Sequence, residues 1–382
     1  MVTGVYYPEV SGAANQCRQL VSALKGEVDF SVLTTTREVS LPLHCQVDGV
    51  DVTRVLWKKG VLDYWDVILK FVAFFLFRRR HFQIIHLHGF SHKSCLLSLF
   101  AGLFQRKVII KMTSIGHDDP SAMKKRGPLL NNFFRKADAY VGTSPKFAQL
   151  YRKTGLRSHR LSQIPNGVDT DRFRPVTAGE KTTLRDQLGL PKEMKFILFV
   201  GHFSREKCPN VVLEAWIHHV AEDYIDTGIV FVGSTDADHY EVSSELVNET
   251  RQLAEPYLDE RIFFVEKSHE IEKYYQTTDI FVLSSLREGM PNALLEAMAC
   301  SLPVIVSKLE GVTDWVVMDG KNGLLVESGI RNDLGKAIKE ILNDDVLSES
   351  LGREARRTVV NRFSMQIVAK RYDQLYGDLV FR

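Results

Sequence analysis

Several features that mark special protein classes are missing from this sequence of 382 residues. It has no low-complexity stretch and no convincing short repeat, which argues against disordered and solenoid classes. Its five cysteines are scattered and form no CxxC pair, which argues against a disulfide framework and a zinc site and favours a reducing cytoplasm. We expect no signal peptide, because the chain begins almost directly in MVTGVYYPE, the start of the fold.

A membrane-spanning segment is also not predicted. The apolar run at 67–77 contains Lys70 and is too short to cross a bilayer. It lies within WDVILKFVAFFLFRRR at 65–80, whose aromatic residues and final three arginines suit a helix on an anionic membrane surface. A buried helix beside the sheet, with the arginines at its C-terminal dipole end, is an equally good interpretation. The sequence leaves both open.

What the sequence does have is an uneven distribution of charge. Residues 1–175 contain 26 Lys and Arg against 13 Asp and Glu, a balance of +13, and the remaining residues contain 23 against 34, a balance of −11. The length suggests two domains, and a basic half fused to an acidic half indicates that the first half meets an anionic partner. A basic surface that only aids solubility is the alternative.

Strand and helix patterns alternate along the chain. Short apolar runs bounded by polar or glycine-containing turns predict buried strands, with helical stretches between them. This alternation predicts parallel sheets with helices on both faces. The predicted strands lie at 30–33, 84–87, 108–112, 139–141, 196–200, 228–232, 262–265, 280–283 and 304–306.

The break between two doubly wound domains falls in the turn-forming segment IPNGVD at 164–169. We predict a first domain at 1–170, a second at 171–360, and a final helical segment at 361–382 that packs back on the first domain. The last helix is expected to begin near Ser348 and to run to the chain end. Only three residues precede the first turn, so the first strand is either short or truncated.

The most informative segment is SSLREGMPNALLEAMAC at 284–300, which follows the predicted strand 280–283. Pro291 suits a first helical turn, since its missing N–H would be unpaired there. Glu288 then lies on the loop and Glu296 on the second helical turn. A helix N-terminus suits a phosphate, a loop carboxylate can accept hydrogen bonds from sugar hydroxyls, and a second carboxylate can bind both hydroxyls of a ribose. A nucleotide-sugar contains a phosphate, sugar hydroxyls and a ribose, so a site that binds it needs the helix N-terminus and both carboxylates together.

At this point the sequence resembles the retaining glycosyltransferases of family 4. Their signature is two glutamates separated by seven residues, a helix of small residues and a Pro-Val-Ile strand, and this chain has Glu288, Glu296 and SLPVI at 301–305. EG at 310–311 and DGKNGLLV at 319–326 follow in the family's order. The resemblance implies an α/β architecture of the GT-B type. In that fold two doubly wound Rossmann-like domains face each other across a cleft, and the first binds the acceptor while the second binds the donor.

The resemblance also implies roles for the residues of this motif. Glu288 should contact the hydroxyls of the donor sugar, and Glu296 should hold the ribose. The intervening backbone should hold the sugar and the distal phosphate. This donor-binding stretch consists of Gly289, Met290, Pro291, Asn292, Ala293 and Leu294.

A second motif, GHFSREKCPN at 201–210, follows the first strand of the second domain. In the family, an arginine and a lysine in this loop neutralise the diphosphate leaving group, the step that needs electrostatic help. Lys207 stands at the lysine position, His202 stands where the family has arginine, and Cys208 replaces a glycine. Arg205 is a candidate for the missing guanidinium, unless it only points to solvent. The donor-binding candidates of this loop are Gly201, His202, Arg205 and Lys207.

A third motif lies in the first domain, in YYPEVSGAA at 6–14. The family has a glycine pair here, which lets the backbone approach the donor phosphate because no Cβ intervenes. Gly12 is the glycine that remains, and it is therefore a donor-binding candidate. A plain strand–helix turn is the alternative, with the helix expected to begin near Asn15.

A fourth segment, KMTSIGHDD at 111–119, follows a strand of the first domain and is expected to face the cleft. Asp118 or His117 is a candidate to orient or deprotonate the acceptor hydroxyl. A capping or turn role is the alternative for Asp118. His86 and His88 close the preceding strand and are weaker candidates, since strand-end histidines are more often structural.

The sequence also contains a short acidic motif that resembles a metal site but to which we assign no metal. DAD at 236–238 looks like the metal motif of the other main glycosyltransferase fold. In a GT-B enzyme the lysine and the helix N-terminus take the place of the metal. We therefore expect neither a metal ion nor a cofactor.

Taken together, the resemblance implies a retaining enzyme of the hexosyltransferase type. It would move a sugar from a nucleotide-sugar, with UDP as the family's commonest nucleotide, to a hydroxyl of a glycan or lipid-linked acceptor. We expect a cytoplasmic protein, peripheral on the inner membrane face if the basic half contacts an anionic surface, with no nucleic-acid partner. Two alternatives stay open: a non-hydrolysing epimerase of nucleotide-sugars on the same fold, and a non-catalytic glycan-pathway scaffold.

Overall fold

The structure is a computed structural model that describes residues 1–57, 61–78, 81–235, 242–266 and 268–381. The chain divides into two compact units. Unit 1 comprises Met1–Gly167 and Met365–Arg382, and unit 2 comprises Val168–Ser364. The sequence places the two limits at 170 and 360, so the predicted and observed limits differ by a few residues.

Unit 1 is built on an eight-stranded sheet in the order β3-β4-β2-β1-β5-β6-β7-β8. Neighbouring strands are parallel except β3 and β4, which form an antiparallel edge. The strands are β1 (Val2–Thr3), β2 (Ser31–Thr36), β3 (His44–Val47), β4 (Val50–Leu56), β5 (Ile84–His88), β6 (Lys107–Met112), β7 (Ala139–Gly142) and β8 (Leu161–Gln163). The sequence does not predict β4, because Asp51, Thr53 and Arg54 interrupt its apolar run.

Helices cover both faces of this sheet. α1 and α14 pack on one face, and α2, α3 and α5 pack on the other. Right-handed connections between parallel strands place α1 opposite α2, α3 and α5. These elements are α1 (Gly12–Ala23), α2 (Val61–Arg78), α3 (His92–Leu103), α4 (Pro120–Lys125), α5 (Pro128–Phe134), α6 (Pro145–Arg152) and α14 (Met365–Val380). The hydroxyl of Ser11 accepts a hydrogen bond from the N–H of Ala14 at 3.1 Å. This cap starts α1 three residues before the predicted Asn15.

Unit 2 is built on a six-stranded parallel sheet in the order β11-β10-β9-β12-β13-β14. Its strands are β9 (Lys195–Val200), β10 (Thr227–Val232), β11 (Ile262–Val265), β12 (Ile280–Leu283), β13 (Val304–Ser307) and β14 (Leu324–Val326). The helices are α7 (Ala178–Leu188), α8 (Pro209–His219), α9 (Ser244–Ala254), α10 (Ile271–Thr277), α11 (Asn292–Ala299), α12 (Arg331–Asn343) and α13 (Asp345–Arg362). Because the strand order reverses between β9 and β12, the loops that follow these strands flank the crevice where doubly wound sheets bind ligands.

The last part of the chain differs from the prediction of one helix from near Ser348 to the end. α13 ends at Arg362 in unit 2, and α14 begins at Met365 in unit 1. Between them, Phe363 leaves the helical region (φ −129°, ψ 7°) and buries its ring in the core of unit 2. The apolar pattern continues across this break, which is why helical periodicity alone does not reveal it.

Candidate functional site

Two loops of unit 2 meet where the strand order reverses. One follows β9 and comprises residues 201–208, and the other follows β12 and comprises residues 284–291. The hydroxyl of Ser284 lies 2.8 Å from the carbonyl oxygen of Lys207 and 3.0 Å from that of Cys208, so one donor is shared between two acceptors. This hydroxyl therefore links the two loops that form the candidate site.

An ion pair across these loops joins two residues of the predicted site. The Nζ of Lys207 lies 2.5 Å from Oε1 of Glu288, and the hydroxyl of Ser285 donates to the same oxygen at 2.8 Å. The side chain of Glu288 is 9% exposed and that of Lys207 is 28% exposed, so the pair is shielded from most solvent yet reachable. A lysine in this position can exchange the carboxylate for an incoming anion, which leaves the carboxylate available to hydroxyl donors.

Glu296 lies in the second turn of α11, as predicted, and is buried. Pro291 has an extended backbone (φ −73°, ψ 119°) and immediately precedes the helix, one residue outside the turn predicted for it. The hydroxyl of Tyr275 donates to Oε2 of Glu296 at 2.9 Å. Burial raises the pKa of Glu296, and the Tyr275 hydrogen bond and the positive charge of Arg172 partly offset that rise. The carboxylate retains further acceptor capacity for hydroxyl ligands.

The predicted donor-binding stretch at 289–294 runs from the loop into the first turn of α11. Four of its residues are buried: Gly289, Met290, Pro291 and Leu294. Asn292 and Ala293 are partly exposed. The start of α11 is therefore accessible at its first two residues, where backbone N–H groups and the helix dipole favour an anion.

Arg205 does not join the Lys207–Glu288 pair. Its side chain is 71% exposed, and its guanidinium lies 2.5 Å from the carboxylate of Glu245. The structure therefore favours the solvent-facing interpretation of Arg205. Lys207 is the cation of this loop that contacts Glu288.

The first residue of the β9 loop, Gly201, packs closely against the loop that follows β10. A Cβ atom on Gly233 would lie 2.0 Å from the carbonyl oxygen of Gly201, so the loops after β9 and β10 approach at a distance that only glycine allows. His202 is half-buried beside this contact.

Cys208 has a left-handed backbone (φ 52°, ψ 53°) at the position where the family has glycine. This conformation destabilises the folded state when the residue has a Cβ atom.

In unit 1, Asp118 has the turn role that the sequence left as an alternative. Its buried carboxylate accepts hydrogen bonds from the N–H and hydroxyl of Thr113 and from the N–H of Ser114, at 2.6–3.0 Å. Burial raises the pKa of Asp118, and these hydrogen bonds oppose the rise. Asp119 caps α4, and His117 is exposed. Contact of Asp118 or His117 with the acceptor remains a prediction, as does contact of Gly12, the first residue of α1, with the donor.

A buried group of basic and phenolic side chains lies under α1 and α14. The Nδ1 of His86 and the hydroxyl of Tyr376 are 2.8 Å apart, and the rings of His86 and His88 are 4.6 Å apart. Burial lowers the pKa of both histidines well below the usual range and lowers the pKa of Lys111 to about 8. His86 therefore binds the returning C-terminal helix, which supports the structural interpretation of this strand-end histidine.

The sequence patterns assign no role to Ser284, Ser285 or Tyr275, although all three contact residues of the candidate site. Ser284 and Ser285 lie in the quoted motif, but a hydroxyl beside a glutamate is no signal by itself. Tyr275 comes from α10, and only the fold brings it to Glu296.

Among the described residues, no group of three or more His, Cys, Asp or Glu side chains could hold a metal ion. Asp236 and Asp238 lie outside the described residues, as do Arg79 and Arg80. A metal-free reaction therefore remains a prediction. Within the part of the chain that the structure describes, every helix is too short or too polar to cross a membrane.

Two family models match the chain over almost its whole length. The model for glycosyl transferases group 1 matches residues 180–358, and the model for glycosyltransferase family 4 matches residues 10–172. The chain belongs to glycosyltransferase family 4. The first of these matches contains Lys207, Glu288 and Glu296, and the second contains Gly12 and Asp118.

Known relatives of this glycosyltransferase are moderately similar to it. It is 23% identical over 308 residues to N-acetyl-alpha-D-glucosaminyl L-malate synthase of Bacillus anthracis, covering 79% of this chain and 76% of that protein. It is 30% identical over 225 residues to UDP-Gal:alpha-D-GlcNAc-diphosphoundecaprenol alpha-1,3-galactosyltransferase of Escherichia coli, covering 58% and 55%. The match thus spans about half the length of the second relative.

Among solved structures, the fold is shared with Anabaena Alr3699/HepE, crystallised in complex with UDP-glucose. The TM-score is 0.79 at 16% identity, covering 99% of this glycosyltransferase and 98% of that chain. At this identity the likeness shows the GT-B fold and nothing finer.

Proposed function

We propose that the chain transfers a hexose from a UDP-sugar to a hydroxyl of a glycan or lipid-linked acceptor, with retention of the anomeric configuration. The observation that carries the proposal is the 2.5 Å contact of Lys207 with Glu288, on the loops that flank the helix of the buried Glu296. One cation and two carboxylates at the reversal point of a doubly wound sheet correspond to the diphosphate, the sugar and the ribose of such a donor.

Each group has one task in the proposed transfer. The Lys207 ammonium and the start of α11 stabilise the charge that develops on the diphosphate as the bond between the sugar C1 and the phosphate oxygen breaks. Glu288 accepts hydrogen bonds from sugar hydroxyls, and Glu296 binds the ribose hydroxyls. The acceptor oxygen bonds to C1 on the face that the diphosphate leaves, and its proton passes to the departing phosphate oxygen. No side chain bonds covalently to the sugar.

The named relatives support UDP-hexoses as the donor class. The E. coli relative is a UDP-Gal galactosyltransferase by name, and the Anabaena protein was crystallised with UDP-glucose. Galactose and glucose are both hexoses. Because Lys207 and α11 are assigned the diphosphate charge, the proposed reaction needs no metal ion.

The proposal includes peripheral contact of unit 1 with an anionic membrane surface, where a lipid-linked acceptor would be presented. α2 packs one side into the hydrophobic core through Val67, Phe71 and Phe75. This side of the helix is buried, as the buried-helix interpretation predicts. α2 and its neighbour α3 also have outward apolar residues, which are Leu69, Leu76, Phe77, Leu99 and Leu103. Outward apolar side chains followed by three arginines in the sequence suit the headgroup region of an anionic bilayer.

A thermal-shift screen of nucleotide-sugars tests the donor assignment, because a ligand that binds only the folded state stabilises it by about 2.7 kcal/mol at 100 times its Kd. We expect UDP-glucose or UDP-galactose to raise the melting temperature of the parent, and Glu296→Ala to reduce that rise. Conversion of the donor to an epimer without acceptor would favour the epimerase alternative. Stabilisation by no nucleotide-sugar would favour the scaffold.

A further inference from the structure

The carboxyl edge of the sheet in unit 1 carries a group of side chains that the proposed transfer does not use. Arg37 follows β2, Trp57 follows β4, and Lys93 lies in the first turn of α3, after β5. β2 lies between β4 and β1, and β1 lies beside β5. The three residues therefore project from the same edge of the sheet, and we name them the edge group.

Trp57 brings the two cations of the edge group together. The Nζ of Lys93 lies 4.4 Å from the centroid of the Trp57 ring, and the Cζ of Arg37 lies 4.9 Å from it. Both distances are within the range of cation–π contacts. Lys93 also donates from Nζ to Oγ1 of Thr35 on β2, at 3.3 Å. One partly buried indole thus holds an ammonium and a guanidinium.

No acidic side chain among the described residues pairs with the two cations of the edge group. Within the described ranges, neither Arg37 nor Lys93 forms an ion pair with a carboxylate. Glu9 lies at the same edge, half-buried, where its carboxylate is close to the backbone N–H of Arg37 and to the guanidinium of Arg54. Glu9 therefore faces Arg54, and the carboxylate of Glu38 accepts from the hydroxyl of Ser40, so neither carboxylate pairs with the two cations on Trp57.

The position of Lys93 adds to this excess. The first turn of a helix carries the positive end of the helix dipole, which disfavours a lysine. Burial and, to a smaller extent, the charge of Arg37 together lower the pKa of Lys93 to about 8. Two cations on one indole ring, one of them in the first turn of a helix and neither paired with a carboxylate of the described residues, are stabilised when an anion binds to both.

We propose that the edge group binds a phosphate group of the acceptor, either a phosphate ester or a diphosphate on the molecule that receives the sugar. The planar guanidinium of Arg37 and the ammonium of Lys93 bind the phosphate oxygens, and the exposed part of Trp57 offers an apolar surface to the sugar next to the phosphate. The inference rests on the proposed function, with the acceptor bound by unit 1 as the family resemblance implies. A lipid-linked diphosphate and a soluble sugar phosphate present this same chemistry.

Inorganic pyrophosphate is the probe, and the Trp57 indole is the reporter. The full chain contains four tryptophans, so ¹⁵N-labelled indoles give four NMR signals, and Trp57→Phe identifies that of Trp57. We expect pyrophosphate to shift this signal in a saturable titration. Arg37→Gln combined with Lys93→Gln should raise the apparent Kd at least about tenfold, the effect of roughly 1.4 kcal/mol. Lys207→Ala, which alters the candidate donor site, should leave the Trp57 titration unchanged.

Three results would overturn the inference. The first is no shift of the Trp57 signal at about 10 mM pyrophosphate, well above a millimolar Kd. The second is an equal titration in the double variant. The third is a shift caused by vesicles of phosphatidylcholine and phosphatidylglycerol but not by pyrophosphate, which would assign the edge group to the membrane surface.

Calorimetry with UDP-glucose on the same protein separates this inference from the proposed function. A failed pyrophosphate titration with intact UDP-glucose binding overturns the edge group alone. Failure of the parent to bind any UDP-hexose overturns the donor assignment, whatever the edge group does. With pyrophosphate binding confirmed, a sugar phosphate and its lipid-linked form, compared as acceptors, identify which of the two the enzyme uses.

Discussion

The Nζ of Lys207 and the Oε1 of Glu288 lie 2.5 Å apart, on loops that follow two adjacent strands of unit 2. In the proposed reaction one of them binds the diphosphate and the other binds the sugar, so the pair opens when the donor enters. Until then each side chain fixes the position of the other, and the hydroxyl of Ser285 donates a hydrogen bond to the carboxylate. The site is thereby organised before the donor arrives, which is the condition for strong electrostatic stabilisation of a leaving group.

Lys207→Ala should lower the transfer rate by about 10²–10³, the typical effect of removing one electrostatic group that acts on the transition state. Its effect on the KM for the acceptor should be much smaller. Arg205→Ala is the comparison, because Arg205 is exposed and pairs with Glu245, and we expect a far smaller loss of rate. Steady-state kinetics of both variants would contradict the assignment if the two losses were equal.

Glu296→Gln should weaken nucleotide binding and stabilise the folded protein at neutral pH. Burial raises the pKa of Glu296 in the folded state, so ionisation opposes folding. This penalty is absent below the unfolded pKa and complete once the pH has risen through the folded pKa. The amide keeps an oxygen that accepts from Tyr275.

Melting temperatures of Glu296→Gln and the parent should therefore differ at pH 7 and converge in acid. Calorimetry with UDP measures the loss of affinity on the same samples. Glu340→Gln, on an exposed site of α12, should change neither quantity. Unchanged affinity in Glu296→Gln would remove Glu296 from the ribose site.

Lys111→Met should stabilise the protein at pH 7 by up to about 3 kcal/mol, since one pKa unit corresponds to about 1.4 kcal/mol. Burial lowers the pKa of Lys111 from 10.5 to about 8. The advantage of the variant should decline between these values as the pH rises, because the folded protein then holds a neutral lysine while the unfolded chain stays protonated.

Urea denaturation of parent and variant at pH 7 and at pH 10 measures this decline. Lys124→Met changes an exposed lysine of α4 and should have little effect at either pH. A Lys111→Met protein that is less stable than the parent at pH 7 would mean that the buried ammonium makes a favourable interaction in the folded state.

The elements around the candidate donor site could be predicted because their signals are local. β12 is apolar throughout, and the spacing of Glu288 and Glu296 follows from one loop and one helix turn. The partners of these residues could not be predicted in the same way. Arg205 meets Glu245, and Trp57 meets Lys93, only because the fold brings distant loops together. No pattern of a single segment encodes such a contact.

Phe77→Ser combined with Leu103→Ser should reduce binding to vesicles that contain anionic lipid. The two side chains are 87% and 75% exposed, and burial of each stabilises the bound state by about 1.5–3 kcal/mol when complete. Sedimentation with vesicles measures the change. Ile225→Ser, at an 80% exposed site of unit 2, is the matched control. No vesicle binding by the parent at low salt would refute the membrane contact.

Transfer should survive treatment with EDTA, because Lys207 and the start of α11 are assigned the charge of the diphosphate. Asp236→Ala combined with Asp238→Ala should likewise keep most of the activity. Activity that EDTA abolishes and manganese or magnesium restores, and that the double variant lacks, would assign the diphosphate to a metal ion instead.

Calorimetric titration of UDP-glucose and UDP-galactose into the parent, Lys207→Ala and Glu296→Ala tests the central claim most directly. The account predicts that the parent binds at least one of the two sugars with one-to-one stoichiometry, and that each variant binds it at least about tenfold more weakly, equivalent to roughly 1.4 kcal/mol. Binding of equal strength in all three proteins, or none in the parent, would contradict a donor site built from Lys207, Glu288 and Glu296.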